Sequence, residues 1–360
     1  MAQEKALIAM SGGVDSSVAA CLTQQAGFAC MGAIMQMFDE KTLPISGSSC
    51  RFSEDAEDAR VVAAKLGMPF RIIDARAEFA DHVVKPFIGC YEAGLTPNPC
   101  IRCNRHLKFD LFLREAQKLG CSKIVTGHYA RIRQDESTGR YLLCKAADAS
   151  KDQSYVLYSL TQEQLAHTHL PLGELSKEQA RAIAAERGLI NAKKRDSQDI
   201  CFIPDGDYVA FMERCAGKAY APGDFLDLQG NVVGKHRGAV CYTLGQRKGL
   251  GLAMGAPVYV CAKNMEQNTV TVGPNEALFA TTLRANEWNW FPFPELTEPM
   301  EVTARARYNQ KEQPATVYPE EGGFARVVFH QPQRAMTPGQ AVVLYNGEMV
   351  VGGGTITEIL

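Results

Sequence analysis

The segment that most constrains the fold is residues 10–17, MSGGVDSS, near the start of the 360-residue chain. The apolar residues 5–10 before it predict a buried parallel strand, and residues 14–25 after it predict a helix. Gly12 and Gly13 allow the backbone to approach a ligand closely, and the helix N-terminus offers free N–H groups. A strand, a glycine turn and a helix in this order predict a phosphate-binding loop.

The loop differs from a Walker A motif because it lacks the Gly-Lys-Ser/Thr end that reaches the β- and γ-phosphates. The hydroxyl groups of Ser11, Ser16 and Ser17 are candidate hydrogen-bond donors, and Asp15 is a candidate Mg²⁺ ligand. This composition favours pyrophosphate as the bound group. The alternative is a glycine-serine turn that only connects a core strand to a core helix.

The order of the remaining segments predicts an α/β fold with a doubly wound parallel sheet, followed by two smaller β-rich parts. Strands and helices alternate up to about residue 130, and in such a sheet ligands bind at the carboxyl ends of the strands. Beyond that, residues 131–147 predict a hairpin. Short strands and glycine turns follow from about residue 217, and the last eighty residues predict a small antiparallel barrel. We therefore expect a nucleotide-binding catalytic domain at 1–205, a central β-rich domain at 206–278 and a C-terminal β-barrel at 279–360.

Composition limits the possible partners and the location of the chain. The formal net charge is −2, so any RNA binding must depend on local patches rather than on overall charge. No apolar run approaches the roughly 20 residues that a membrane span needs, and glycines and Asp15 interrupt the apolar N-terminus where a signal peptide would lie. We expect a cytoplasmic protein without a membrane partner, and in that compartment its twelve cysteines do not form a disulfide framework.

A second informative segment is residues 95–104, LTPNPCIRCN, which contains two prolines and two cysteines. The prolines predict a rigid, non-helical loop just before a helix. Cys103 has four basic neighbours in the sequence, and cations near a helix N-terminus lower the pKa of a thiol, so it is a candidate thiolate nucleophile. Two alternatives stay open: a partly buried structural cysteine, and a metal ligand in the Cys100-x-x-Cys103 spacing, although no second close pair completes a zinc site.

Cys201 lies in a third segment, residues 197–204, SQDICFIP. Its neighbours Asp199 and Asp205 are acidic, which does not favour a thiolate. Sequence spacing alone assigns Cys201 no reactivity.

Seven segments together resemble the bacterial tRNA-specific 2-thiouridylase family, within the PP-loop ATP pyrophosphatase superfamily. SGGVDSS alone is typical of the superfamily, whereas the combination with both cysteine segments is specific to the family. The segments, in chain order, are AMSGGVDSS at Ala9, NPCIRCN at Asn98, TGHYAR at Thr126, KDQSYVL at Lys151, SQDICFI at Ser197, HRGAVCYTLGQRKGLG at His236 and ARARY at Ala304.

The resemblance implies a sulfurtransferase that uses ATP with Mg²⁺ to activate O2 of a tRNA wobble uridine as an adenylate, releasing AMP and pyrophosphate, and then transfers sulfur. Cys201 matches the family's persulfide carrier and Cys103 its second catalytic cysteine, and the two form a transient disulfide as sulfur leaves. No resident metal or iron–sulfur cluster is expected. The matched ATP-binding positions are Ala9, Met10, Ser11, Gly12, Gly13, Val14, Asp15, Ser16, Met35 and Gly127.

The same resemblance implies two macromolecular partners: tRNA, bound through its anticodon region, and a cysteine desulfurase or sulfur-relay protein that donates the persulfide. Cys100 departs from the family pattern, because many members carry aspartate there as a candidate general base. The matched tRNA-contacting positions are Asn98, Pro99, Cys100, His128, Lys151, Asp152, Gln153, Arg307, Tyr308 and Gln340.

Three other functions remain as alternatives. The first is a PP-loop ligase or synthetase acting on a small molecule, which would not need the cysteine pair. The second is a non-catalytic protein that binds tRNA or a sulfur carrier. The third is a tRNA thiolase in which Cys100, Cys103 and Cys201 hold an iron–sulfur cluster.

Overall fold

A computed structural model describes residues 3–39, 43, 52–194 and 200–360. The strands are β1 Lys5–Ala9, β2 Ala29–Gln36, β3 Phe70–Asp74, β4 Lys123–Val125, β5 Arg131–Gln134, β6 Tyr141–Cys144, β7 Thr168–His169, β8 Gly223–Leu226, β9 Val232–His236, β10 Tyr259–Asn264, β11 Thr269–Gly273, β12 Phe279–Trp290, β13 Met300–Arg305, β14 Gln313–Pro319, β15 Ala325–Arg334, β16 Ala341–Asn346 and β17 Met349–Ile359.

The helices include two stretches of π-helix, Ala80–Val84 and Asn104–Leu111, each joined directly to α-helix on both sides. The α-helices are α1 Val14–Gln25, α2 Phe52–Lys65, α3 Arg76–Phe79, α4 Lys85–Glu92, α5 Pro99–Cys103, α6 Phe112–Lys118, α7 Ser154–Leu157, α8 Gln162–Ala166, α9 Lys177–Glu186 and α10 Tyr208–Ala216. Short 3₁₀ turns span Ala239–Cys241, Asn275–Leu278 and Glu321–Gly323.

The N-terminal part is a parallel five-stranded sheet in the order β3-β2-β1-β4-β7, which confirms the predicted doubly wound architecture. The central strand β1 is apolar, and its residues Ala6, Leu7 and Ile8 are fully buried between helices on both faces. The strand order reverses between β1 and β4. In open α/β sheets, the crevice at the carboxyl ends of two such strands is the usual ligand site.

The predicted helices differ from the observed ones in two regions, residues 78–92 and residues 95–104. The sequence pattern predicts one helix over residues 78–92, whereas the structure has α3, the first π-helix and α4 there. The predicted loop over 95–104 is confirmed only for 95–98, because α5 begins at Pro99 and the helix continues through the second π-helix into α6. The sequence-based prediction contains neither π-helix. It also misses strand β7, two residues long, because so short a segment shows no periodicity.

The C-terminal strands form a closed antiparallel barrel in the order β12-β15-β14-β13-β16-β17, with β12 pairing back to β17. The predicted barrel is therefore present, although the five strands that the sequence pattern indicates begin only at residue 300 and leave out its first strand, β12. The hairpin β5–β6 extends the barrel sheet through the pair Met349 and Cys144. Between the parallel sheet and the barrel lies a four-stranded sheet in the order β10-β11-β8-β9. The division at 205/206 and 278/279 stays a prediction.

The turn between β15 and β16 joins the barrel to the segment that leads into α5. The backbone N–H of Thr96 donates to the carbonyl oxygen of Pro338 at 3.0 Å. Gly339 has a φ of +89°, and a Cβ there would lie 2.9 Å from Cβ of Leu95, so only glycine fits this contact. The barrel thereby fixes the start of α5, which carries Cys100 and Cys103 and is called the cysteine helix. Among the described residues, no helix is long and apolar enough to span a membrane.

Candidate active site

The phosphate loop has the predicted geometry between β1 and α1. Gly12 has a φ of +70°, and a Cβ at this position would lie 2.5 Å from the backbone oxygen of Asp55, so a larger residue does not fit. Gly13 is the N-cap of α1, and no side chain caps the helix. The first N–H groups of the helix therefore stay available for an anion.

The serine hydroxyls of the loop mostly hold the loop itself together. Ser16 Oγ donates to the carbonyl oxygen of Gly13 at 3.1 Å and accepts from the N–H of Ser11 at 3.1 Å. Ser17 is fully buried, and its Oγ donates to Gly13 and accepts from Nδ2 of Asn191 at 2.8 Å. Contrary to the expectation from the sequence, the Ser17 hydroxyl is therefore not available to donate to a phosphate. Ser11 is exposed at the mouth of the loop, where its hydroxyl can reach a ligand.

Asp15 is held by two residues that the sequence analysis did not identify. Nζ of Lys177, the first residue of α9, lies 2.7 and 2.8 Å from the two carboxylate oxygens of Asp15, and the Tyr129 hydroxyl donates to Oδ1 at 2.9 Å. The Lys177 side chain is only 7% exposed. A buried lysine from a distant helix thus places positive charge beside a loop that has no lysine of its own.

A cavity of about 210 Å³ opens at the switch point between β1 and β4. Gly127 closes one wall, and a Cβ on it would lie 2.8 Å from the backbone of Asp15 and Ser16. Of the ten predicted ATP-binding residues, Gly12, Gly13 and Val14 form the turn behind the lining. The lining residues are Ala9, Met10, Ser11, Asp15, Ser16, Ala33, Ile34, Met35, Met37, Lys108, Thr126, Gly127, His128 and Gln153.

The first cysteine segment is helical because Asn98 and Pro99 start a helix well. Asn98 is the N-cap, and its Oδ1 accepts from the N–H of Cys100 at 3.1 Å, while Pro99 occupies the first helical position, where no N–H is needed. Cys100 is exposed and Cys103 is buried. Asn98, Pro99 and Cys100 therefore form the start of a helix, in which Pro99 is buried, Asn98 is half-buried and Cys100 is exposed.

The expectation of a lowered thiol pKa at Cys103 is wrong for the isolated structure. Burial raises the pKa of Cys103, and the nearby Cys100 thiol adds to this, while Lys108 lowers it. Arg102 points away, because its Nε donates to the carbonyl oxygen of His82 at 2.8 Å. Basic residues adjacent in sequence therefore do not all act on the thiol, and the ordinary form of Cys103 here is the neutral thiol.

Cys201 lies close to the other two cysteines. It is exposed, but surrounding protein raises its pKa to about 12, with Cys103 and Cys100 adding to the rise and Lys108 opposing it. Ser197, Gln198 and Asp199, which precede Cys201 in the same sequence segment, lie outside the described residues. The Sγ atom of Cys103 in turn lies 3.8 Å from Sδ of Met37, which lines the cavity. The cysteines therefore adjoin the cavity.

His128 and Gln153 line the same cavity, so the structure brings these two predicted tRNA contacts next to the predicted ATP site. Nδ1 of His128 lies 2.7 Å from the Thr126 hydroxyl, and burial together with Lys108 lowers the pKa of His128 well below its ordinary value. Oε1 of Gln153 accepts from the N–H of Tyr129 at 2.9 Å. His128 is therefore neutral near pH 7.

Asp152, a predicted tRNA contact, has a buried carboxylate. It accepts from the N–H of Ala146 at 3.1 Å and from the hydroxyl of Ser154 at 2.8 Å, and Arg305 lies 3.6 Å away. The side chain is 2% exposed. In this conformation Asp152 ties the segment after β6 to the barrel, while the neighbouring Lys151 is half-buried.

The three predicted barrel contacts lie beside the start of α5 and the central sheet. Nε2 of Gln340 donates to the carbonyl oxygen of Thr96 at 2.8 Å. Arg307 donates to the carbonyl oxygen of Leu244 at 3.2 Å and also to the Thr337 hydroxyl, so both side chains already bind protein. Tyr308 is 39% exposed, and its ring therefore remains open to a ligand.

Lys108 is a functional candidate that the sequence analysis treated only as a neighbour of Cys103. It lines the cavity and acts electrostatically on Cys103, Cys201 and His128. No set of three or more His, Cys, Asp or Glu side chains is arranged to hold a metal ion within the described ranges. All cysteines in those ranges are unpaired.

Comparisons with known proteins cover almost the whole chain. Family models match at residues 4–205 (tRNA methyl transferase HUP domain), 210–274 (tRNA methyl transferase PRC-barrel domain) and 280–356 (Aminomethyltransferase beta-barrel domain). The HUP model belongs to nucleotide-binding parallel-sheet proteins, in agreement with ATP binding by the N-terminal part.

Several curated relatives share nearly half of their residues with this chain. The tRNA-specific 2-thiouridylase MnmA of Clostridioides difficile is 47% identical over 99% of both chains. The protein of that name from Acetivibrio thermocellus is 48% identical over 99% of this chain and 100% of its own length, and the one from Moorella thermoacetica is 49% identical over 98% and 99%. At this identity and coverage, the chain belongs to the tRNA-specific 2-thiouridylase family.

Proposed function

We propose that this protein is an ATP-dependent tRNA uridine 2-sulfurtransferase that replaces O2 of the wobble uridine by sulfur. The observation that carries the proposal is that Met37 contacts both the predicted nucleotide cavity and the predicted catalytic Cys103. Met37 lines the cavity next to the phosphate loop, and its sulfur lies 3.8 Å from Sγ of Cys103. A nucleotide in the cavity and a sulfur carried by the cysteines would therefore meet at one carbonyl group of the substrate, the first on its oxygen and the second on its carbon.

The first half-reaction is adenylation of the uridine O2. The oxygen attacks the α-phosphorus of ATP, the bond to the bridging oxygen breaks, and pyrophosphate leaves. The uncapped N–H groups of α1 would bind the phosphates, and Lys177 would supply the positive charge that a Walker lysine supplies elsewhere. Because Mg²⁺ binds mainly to substrate phosphates with one or two carboxylates, Asp15 would hold the ion once Lys177 releases an oxygen.

The second half-reaction moves sulfur and leaves AMP. The terminal sulfur of a Cys201 persulfide attacks C2 of the uridine, and the C2–O bond breaks as AMP departs with the oxygen. The Cys103 thiolate then attacks Sγ of Cys201, so the persulfide bond breaks and its electron pair stays on the sulfur bound to C2. The two cysteines end as a disulfide, which a thiol reductant must reduce before the next turnover.

The proposed tRNA surface surrounds the mouth of the cavity. Asn98, Pro99 and Cys100 start the cysteine helix, and Tyr308 exposes its ring near enough to Cys100 for the two side chains to interact electrostatically. A uridine turned out of the anticodon stack needs such loop and aromatic contacts. Lys151 and Arg307 would bind phosphate or ribose, and Asp152 and Gln340 would hold this surface in place.

The persulfide donor is the second proposed partner. Cys201 is exposed, as a residue that receives sulfur from another protein must be. A cysteine desulfurase or a sulfur-relay protein has the required chemistry, because each carries a persulfide on a mobile cysteine that undergoes thiol exchange.

The experiment that tests the function combines the purified protein with unmodified tRNA, ATP and a persulfide donor. We expect AMP, pyrophosphate and 2-thiouridine in equal amounts, measured by chromatography and mass spectrometry. Asp15→Ala should remove all three products, while Asp110→Ala, an exposed aspartate paired with Arg114, should leave them unchanged. ADP and phosphate as the stoichiometric products would contradict the adenylation step.

A further inference from the structure

The second π-helix changes which residue shares a face with Cys103. Cys103 ends α5, and the π-helix Asn104–Leu111 follows without a break. In an α-helix, two residues five positions apart lie roughly 140° apart around the axis. A π-helix bonds each residue to the one five positions on, which brings such a pair toward the same side. Lys108, five residues after Cys103, is thereby turned toward the thiol.

Lys108 also borders the nucleotide cavity. It is half-buried in the lining next to Met37 and His128. Since the sulfur of Met37 contacts Cys103, the same part of the wall separates the nucleotide from the thiols. One ammonium group therefore faces both places where the proposed reaction carries negative charge.

The thiols need such a cation because their surroundings otherwise oppose ionisation. Burial raises the pKa of Cys103, the protein around the exposed Cys201 raises its pKa to about 12, and Cys100 acts in the same direction on both. Of the charged side chains in the described part of the chain, Lys108 is the one that lowers the pKa of both thiols. Arg102, which directly precedes Cys103 in the sequence, donates to the backbone of His82 instead.

We propose that Lys108 stabilises the sulfur anions on both Cys103 and Cys201, and that the π-helix exists at this position to direct its ammonium group there. The inference rests on the proposed function, since it gives the sulfur-transfer step a cation that no other described residue supplies. It assigns no role to Lys108 in binding tRNA.

The test measures thiol ionisation directly, without ATP, tRNA or turnover. Reduced full-length protein is alkylated with iodoacetamide from pH 6 to pH 10, and peptide mass spectrometry gives the rate at each cysteine. In Lys108→Met, we expect the rates at Cys103 and Cys201 at pH 8 to fall by about threefold or more, because only the thiolate reacts. Lys108→Arg should restore most of the rate.

Matched controls separate this effect from a change in folding. Lys118→Met removes an exposed lysine from the helix that follows, and it should leave both rates unchanged. Cys215 in α10 is half-buried and serves as an internal reference within each sample. If Lys108→Met does not fold, Lys108→Gln gives the same measurement with a polar side chain.

Unchanged alkylation profiles at both cysteines in a folded Lys108 variant would overturn the proposal, and so would an effect at only one of them. Neither result would touch the proposed function, which the product analysis tests separately. Conversely, absence of 2-thiouridine in the wild-type reaction would overturn the function while the alkylation result stood.

Discussion

The phosphate loop and the cysteine helix are adjacent in space but differ in how their properties arise. The loop depends on residues 10–17, whose glycines and helix start are local features. The cysteine helix depends on burial, on a π-helix and on the barrel turn that binds Thr96 and Pro97. As a result, the loop has its predicted geometry, whereas the cysteine segment has neither the predicted backbone nor the predicted thiol pKa. Local sequence determines the nucleotide half of the site, and tertiary packing determines the sulfur half.

The largest expected effect separates the three cysteines. Cys103→Ser and Cys201→Ser should each reduce 2-thiouridine formation by at least about a thousandfold, because each removes a sulfur that the transfer requires. The double variant should be no worse than either single one, since the two act as a unit. Cys100→Ser should stay within about tenfold of wild type, and Cys215→Ser is the matched control. Mass spectrometry of digested tRNA measures the product.

The same variants test the iron–sulfur alternative. Peptide mapping of aerobically purified protein should find a Cys103–Cys201 linkage, and protein purified without oxygen should contain no stoichiometric iron. An inactive Cys100→Ser together with iron-dependent turnover would contradict the persulfide mechanism and make the three cysteines cluster ligands.

An intermediate effect tests how rigidly the loop is held. In Gly127→Ala, the new methyl group would lie 2.8 Å from the backbone of Asp15 and Ser16, which cannot move as a flexible side chain would. We expect a cost of about 1–3 kcal/mol in the free energy of unfolding and weaker ATP binding, measured by urea denaturation and calorimetry.

Gly89→Ala is the matched control for that variant. Gly89 lies inside α4, and a methyl group added there would have no atom within 4 Å outside its own helix turn, so alanine should be neutral or stabilising. Equal ATP affinity of Gly127→Ala and wild type would mean that the loop adapts and that its glycines are not what positions it.

The sequence thus predicts contacts between near neighbours and misses those between distant ones. The strand, the turn and α1 follow from residues 5–25, and Gly127 follows from its place after a strand end. Lys177 reaches Asp15 from 162 residues away, and Asn191 reaches Ser17 from 174 residues away. No pattern within either segment indicates these pairs. Cys103 illustrates the same limit, because its basic neighbours are visible in sequence but their directions depend on packing.

The smallest expected effect concerns His106, in the π-helix. Partial burial and then the positive charges of Arg102, His82 and Arg105 lower its pKa from 6.5 to about 4, with Asp110 acting weakly in the opposite direction. Between these two pH values the unfolded chain binds a proton that the folded protein does not. The contribution of neutral His106 to the free energy of unfolding is therefore fully present above pH 6.5, and it is lost as the pH falls toward 4.

His106→Gln removes this titration, so the urea midpoint of the variant should fall less than that of wild type between pH 7 and pH 5. The variant also loses the ring stacked on His82, with 4.7 Å between the ring centroids, so the comparison uses the change in the midpoint between the two pH values and not the midpoint itself. Parallel slopes for His106→Gln and wild type would mean that packing and charge around the π-helix do not suppress ionisation, and the contrast with the locally determined loop would then weaken.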